Sequence, residues 1–232
     1  MKESSPQGNL SRRRMMQLGL AGAAAGLSIG GFELAVPSLA NAEDISTPDA
    51  AIAELMAGNK RYIAQGMNAS ASELAKLRQQ TAGGQSPFAA ILSCADSRVP
   101  AEIVFDQTIG RLFVTRIAGN FITPEIIGSL EYGAAELGTK AILVMGHSSC
   151  GAVKATMKGE AVPGQISSLF PHIQPAVDQA GHDLEAAIKA NAKIQATLLS
   201  QSSPVISEMV KSGKIKVVAG YYDLASGMVT LL

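Results

Sequence analysis

Tryptophan is missing from this 232-residue chain, aromatic residues make up only 4% of it, and cysteine occurs twice and histidine three times. Net charge is lacking as well, with 19 basic side chains balancing 19 acidic ones. The first 42 residues carry four basic and two acidic groups, so the remainder holds 15 against 17 and leans slightly negative. A surface so balanced offers no electrostatic attraction for nucleic acid or for an anionic membrane face. Two cysteines, Cys94 and Cys150, permit at most one disulfide. The uncharged run near the N-terminus, Leu18 to Phe32, is built mostly of Gly and Ala and falls short of the roughly 20 predominantly apolar residues that span a bilayer. Internal repeats and low-complexity segments are absent from the rest. What remains is a chain with 47% hydrophobic residues, enough for one α/β core and short for two.

The N-terminus reads as an export signal. Ser11-Arg12-Arg13-Arg14-Met15-Met16-Gln17 precedes the weakly hydrophobic run, and Ala40-Asn41-Ala42 then places small residues where a signal peptidase acts. The adjacent arginines resemble a twin-arginine signal, with methionines in place of the usual Phe-Leu pair. Cleavage is expected after Ala42. Residues 1–42 are then a removed signal peptide and residues 43–232 a single exported domain, periplasmic and without a membrane span.

Within that domain Thr47-Pro48 signals a helix start, with a hydroxyl at the cap and proline at the first helical position. The helix is expected from Pro48 to about Gln65, with Ile52, Leu55, Met56, Tyr62 and Ile63 forming its apolar stripe. A second helix is expected from Ser72 to Thr81. Phe88 to Ser93, Leu112 to Ile117, Ala141 to Gly146 and Ile215 to Ala219 are short continuous apolar runs, as strands buried on both faces should be. Helical periodicity falls between them at Pro124 to Leu137, Gly151 to Met157, Ile166 to Gln179, His182 to Gln201 and Pro204 to Lys211. The order predicts an α/β fold, a mostly parallel central sheet flanked by helices. Ala225-Ser226-Gly227, set between Tyr221-Leu224 and Met228-Leu231, predicts a C-terminal hairpin.

The chemistry concentrates in two stretches. Cys94-Ala95-Asp96-Ser97-Arg98 follows the first strand, and His147-Ser148-Ser149-Cys150 follows the third. Ligands of such sheets sit beyond the carboxyl ends of the strands. Two thiolates and one imidazole are a donor set that suits Zn²⁺, and three protein ligands leave a position open for water or substrate. If the chain stays extended past Cys94, then Cys94, Asp96 and Arg98 point the same way. Three other readings stand beside the open metal site: a lone disulfide, buried thiols acting as small hydrophobes, and a closed zinc site with Asp96 as permanent fourth ligand. His172 and His182 lack ligand-like neighbours and read as surface or packing residues. Arg116 reads as a residue available to a subunit interface.

These two motifs together resemble the signatures of the β-class carbonic anhydrases, over most of the chain from about Pro48 to Leu232. Ala118-Gly119-Asn120, Ile127-Gly128-Ser129-Leu130-Glu131-Tyr132 and Tyr222-Asp223-Leu224 are similar to the family's supporting segments. The resemblance implies one Zn²⁺ per chain on Cys94, His147 and Cys150, with Asp96 and Arg98 as the catalytic pair. It also implies that Gln107, in Phe105-Asp106-Gln107, binds substrate. The implied reaction is reversible hydration of carbon dioxide to bicarbonate and a proton by zinc-bound hydroxide. Carbonyl sulfide or carbon disulfide hydrolysis on the same scaffold, or noncatalytic zinc and bicarbonate binding, are the alternatives. A homodimer or higher even oligomer is implied, with the two N-terminal helices packing on the partner. With two thiolates offsetting the metal's charge, water on such a zinc ionises less readily than the pKa of about 7 found with neutral ligands. The hydration rate is therefore expected to rise with pH.

Overall fold

The computed structural model describes residues 45–66 and 71–232. The twin-arginine stretch, the apolar run after it and Ala40-Asn41-Ala42 lie outside the described residues. Helix α1 (Pro48–Ile63) begins where the sequence places it: Thr47 Oγ1 accepts the Ala50 amide at 3.2 Å, and Pro48 occupies the first turn. Its inward line runs through Ala51, Leu55, Gly58 and Asn59, with Ile52, Met56 and Tyr62 packed beside them. Four of the five residues of the expected stripe thus face the core, and Ile63 is exposed. Two further buried positions carry no hydrophobic signal. At Gly58 the chain passes so close that a Cβ would stand 1.8 Å from the Phe105 carbonyl oxygen. Asn59 donates to the Val104 and Gly227 carbonyls at 3.0 and 2.8 Å, and its Oδ1 accepts the Val229 amide at 2.8 Å. Such a fully paired buried amide fastens the helix to distant chain without an unsatisfied polar atom.

Helix α2 (Ala71–Gln80) leads to a five-stranded sheet of β1 (Ala89–Ser93), β2 (Leu112–Arg116), β3 (Ala141–His147), β4 (Lys216–Tyr222) and β5 (Val229–Leu231). The strand order is β2-β1-β3-β4-β5, parallel except for β5, which returns antiparallel to β4. The expected mostly parallel sheet with a C-terminal hairpin is what forms. Helices α3 (Ala101–Val104), α4 (Pro124–Ala135), α5 (Gly151–Lys158), α6 (Phe170–Ala180), α7 (Leu184–Ser202) and α8 (Pro204–Lys211) complete the described elements, with a 3₁₀ turn at Gly164–Leu169 before α6. Only the four-residue α3 has no counterpart in the sequence reading, being too short to show a period.

Both faces of the sheet are covered. Ile91, Leu143 and Met145 pack with Leu55, Val104 and Phe105 on one side. Leu92, Ile142 and Val144 pack with Leu130, Ala192 and Leu199 on the other. That two-sided burial is why the strands read as unbroken apolar runs. The register sets Ser93 of β1 opposite Arg116 of β2 and Met145 of β3, and His147 of β3 opposite Tyr222 of β4. Since β1 and β3 are neighbours, the segments leaving their carboxyl ends meet, although they are far apart in sequence. No described helix is long and apolar enough to cross a membrane.

Candidate metal centre

Cys94 emerges directly from β1, His147 closes β3, and Cys150 caps the start of α5. Ser149 adopts a left-handed conformation with φ 57°, which folds the short link so that the imidazole and the second sulfur converge. The same link is anchored to the hairpin: the Ser148 amide donates to the Tyr222 carbonyl at 2.8 Å, and Ser148 Oγ accepts the Leu224 amide at 2.9 Å. One donor atom from each of Cys94, His147 and Cys150 lies within 4.8 Å of the others, and all three residues are buried.

The donor atoms fit a tetrahedral zinc ion. The two sulfurs stand 4.0 Å apart and both cysteines are free, too far for a bond of about 2.05 Å. Two Zn–S bonds of about 2.3 Å at a tetrahedral angle span about 3.8 Å. His147 Nδ1 lies 2.9 Å from the Ser148 carbonyl oxygen, which can only accept, so Nδ1 carries the proton and Nε2 presents a lone pair. His147 Nε2 is buried without a hydrogen-bond partner among the described residues. A buried acceptor left unpaired costs about 1–3 kcal/mol, and a cation at this point removes that cost.

Asp96 borders the same space, its Oδ2 3.9 Å from His147 Nε2. Both carboxylate oxygens are engaged by Arg98: Nε to Oδ1 at 2.9 Å and Nη2 to Oδ2 at 2.7 Å, with the Arg98 amide adding a contact to Oδ1 at 2.9 Å. The condition for a shared strand face, an extended chain from Cys94 to Arg98, holds only as far as Asp96. Residues 97 and 98 form a turn in which the Val99 amide donates to the Asp96 carbonyl, and the pair forms through that turn rather than along one side of a strand. Arg116, exposed at the end of β2, donates to the Cys94 and Asp96 carbonyls and so braces the loop.

Electrostatics follow from these contacts. The Cys94 thiol is brought down to about 4, foremost by the hydrogen bond from Cys150; burial opposes this, and the Gly119 amide adds to it. The Cys150 thiol is pushed up by the same contact and by burial, with the Val153 and Ala152 amides of the helix start acting against them. The Arg98 side chain holds the Asp96 carboxyl well below the usual carboxylate range, against a smaller opposing effect of burial, with further help from the Arg98 amide.

Other residues singled out in the sequence lie elsewhere. Gln107 is buried; its amide donates to Glu54 Oε1 at 3.0 Å and to the Phe105 carbonyl at 3.1 Å. It lines a groove with Leu74, Ile103 and Ile109 that includes none of Cys94, Asp96, His147 or Cys150. The His172 ring stacks on Phe121 with centroids 4.4 Å apart, a packing role as expected. Glu131 accepts the Ser203 hydroxyl at 2.6 Å, at the cap of α8. Sequence reasoning missed the Gly119 amide, which donates to Cys94 Sγ at 3.3 Å, since a backbone group carries no residue-type signal.

Comparison with known proteins gives a consistent picture. The carbonic anhydrase family model matches residues 89–229. Carbonic anhydrase 2 of Mycobacterium tuberculosis is 34% identical over 194 residues, covering 80% of this chain and 93% of that protein. A carbonic anhydrase of Mycolicibacterium smegmatis is 35% identical over 195 residues, covering 80% and 94%. Among solved structures, the β-carbonic anhydrase CcaA aligns with a TM-score of 0.63 at 25% identity, covering 78% of this chain and 86% of that one.

Proposed function

This chain belongs to the carbonic anhydrase family, in its β class, and from that membership we propose how its own residues carry out the reversible hydration of carbon dioxide to bicarbonate and a proton. Zinc is the cofactor, and Cys94, His147 and Cys150 are the residues that hold it. When bound, zinc acidifies a coordinated water so that hydroxide is available near neutral pH. Asp96 takes a hydrogen bond from the attacking oxygen and fixes its direction toward carbon dioxide, which lowers the barrier by orientation. Arg98 keeps Asp96 ionised and immobile through the two-point contact that a guanidinium makes with a carboxylate. Its own side chain is 54% exposed, which brings this flank of the site to the surface. One observation carries the reading: three donor atoms converge while both oxygens of the nearest carboxylate are occupied by Arg98. That supports a metal position open to reactants rather than one closed by Asp96.

Stopped-flow measurement with a pH indicator tests the activity. Zinc-loaded protein is expected to hydrate carbon dioxide far above the buffer rate, and chelation to abolish the excess. Sulfide release from carbonyl sulfide or carbon disulfide faster than carbon dioxide hydration would favour the hydrolase reading instead. Buffer-level hydration with stoichiometric zinc would reduce the protein to a binder.

We also propose that residues 1–42 direct export through the twin-arginine route to the periplasm and that residues 43–232 work there as a single-domain homodimer or higher even oligomer. A route that carries folded protein lets zinc protect both thiolates before they meet an oxidising compartment. In support of assembly, exposed Leu74, Ile103 and Ile109 border the groove containing Gln107, whose Oε1 is buried without a hydrogen-bond partner among the described residues. From that groove Gln107 meets substrate only across a subunit boundary. Protein recovered from the periplasm is expected to begin at Glu43 and to sediment as an even multiple of the chain. An intact Met1 on membrane-bound material would sink the export reading, and a monomer the assembly.

A further inference from the structure

Gly119 occupies a position that strains any larger residue. Its φ is +88°, and a Cβ there would come within 2.6 Å of Ile173 Cδ1 and 3.3 Å of Ala152 Cβ. Glycine is also the residue with the least torsional stiffness of its own. Its amide nevertheless makes a directional contact, donating to Cys94 Sγ at 3.3 Å within a buried apolar cluster. The order this contact needs comes from the far side of the residue, where the Gly119 carbonyl accepts Asn191 Nδ2 at 2.8 Å.

Asn191 is itself fixed. It is fully buried on α7, and Gln195, one turn along the same face, is buried beside it. Gln195 Nε2 donates to Asn191 Oδ1 at 3.3 Å and to the His172 carbonyl at 3.0 Å, while Gln195 Oε1 accepts the Ile122 amide at 3.0 Å. The donor from Gln195 occupies the oxygen end of Asn191, so the NH₂ end must face Gly119. Buried amides with every strong contact used hold one orientation.

We propose that Asn191 is a positioning residue of the zinc centre: by clamping the Gly119 carbonyl it keeps the Gly119 N–H on Cys94 Sγ, and so sets how much charge that sulfur gives the metal. A hydrogen bond to a thiolate withdraws charge from sulfur and stabilises the ionised ligand. Groups that orient or bond to a metal's ligands govern affinity without touching the ion, typically by about 10–100-fold. The inference rests on the zinc reading above and adds a residue to it from a helix that supplies no ligand.

The test uses full-length mature protein loaded with zinc, and in parallel with cobalt(II), whose sulfur-to-metal charge-transfer band reports thiolate charge. Asn191→Asp keeps the side chain's shape but turns an acceptor toward the Gly119 carbonyl. Asn191→Ser empties the contact without burying a charge and serves if the first variant does not fold. Leu199→Ala, at a fully buried α7 position that packs in a different part of the core, is the control for damage to α7 packing with the Asn191–Gly119 contact kept. Expected for the Asn191 variants are a cobalt band moved to lower energy and a zinc affinity, by chelator competition, weaker by about 10–100-fold. The control is expected to lose thermal stability while keeping the band position. Asn191 variants that lose stability alone, with band and affinity as in the parent, overturn the inference and leave the zinc reading intact. A parent chain that shows no thiolate-to-cobalt band overturns both.

Discussion

Cys150→Ser is expected to fold, to lose its zinc on dialysis against a chelator and to fall to the uncatalysed rate of carbon dioxide hydration. The substitution nearly preserves volume at a residue with no exposed surface, so the α/β core should survive; far-ultraviolet circular dichroism checks this. What changes is charge. A serine hydroxyl stays protonated at neutral pH and is a poor zinc ligand, so the set is reduced to one thiolate and one imidazole. Even an outer hydrogen-bond partner of a metal ligand is worth about 10–100-fold in affinity, and a ligand itself should be worth at least about 10³-fold. Metal analysis and stopped-flow rates on the same sample decide the matter. A variant with stoichiometric zinc and the parent's rate would remove Cys150 from the site.

Asp96→Asn should separate metal binding from turnover. Zinc content is expected to match the parent, because Asp96 engages Arg98 rather than the donor cluster, while the hydration rate falls by about 10²–10³-fold. An amide offers Arg98 one acceptor instead of two and turns a donor toward the attacking oxygen, so both orientation and charge are lost. The carboxyl's folded-state pKa is depressed, chiefly by the Arg98 hydrogen bond, so it is ionised throughout the neutral range. Any stability the pair contributes is present above the ordinary carboxylate range and lost only in strong acid. Asp96 protonation therefore does not shape the rate profile near neutrality. Arg98→Ala should lower turnover as well, and the double variant should be little worse than either single one, since the two act as a unit. An Asp96→Asn protein with unchanged hydration rates rules out the assigned role.

The site was legible to the extent that side-chain chemistry is local. Cys94, His147 and Cys150 could be named because few residue types bind zinc and their motifs stand at the ends of apolar runs. The cap of α1 was equally plain, since a hydroxyl followed by proline states its own geometry. Residues whose roles depend on distant backbone were missed. The Arg116 contacts that brace the Cys94 loop leave no local signal. Asn59 and Asn191 are polar residues in helices that pattern rules assign to solvent, yet each is buried with its partners supplied by other elements.

By itself the sequence determined which elements form and which atoms are able to bind zinc, because helical period, strand hydrophobicity, capping chemistry and ligand softness act over a few residues. Only the tertiary structure decided that β1 and β3 lie side by side, that Asp96 turns to Arg98, that Gln107 lines a groove apart from the zinc residues and that α7 reaches Gly119. Those outcomes depend on which strand pairs with which, and that is a property of the whole packed sheet with no local imprint on any one segment.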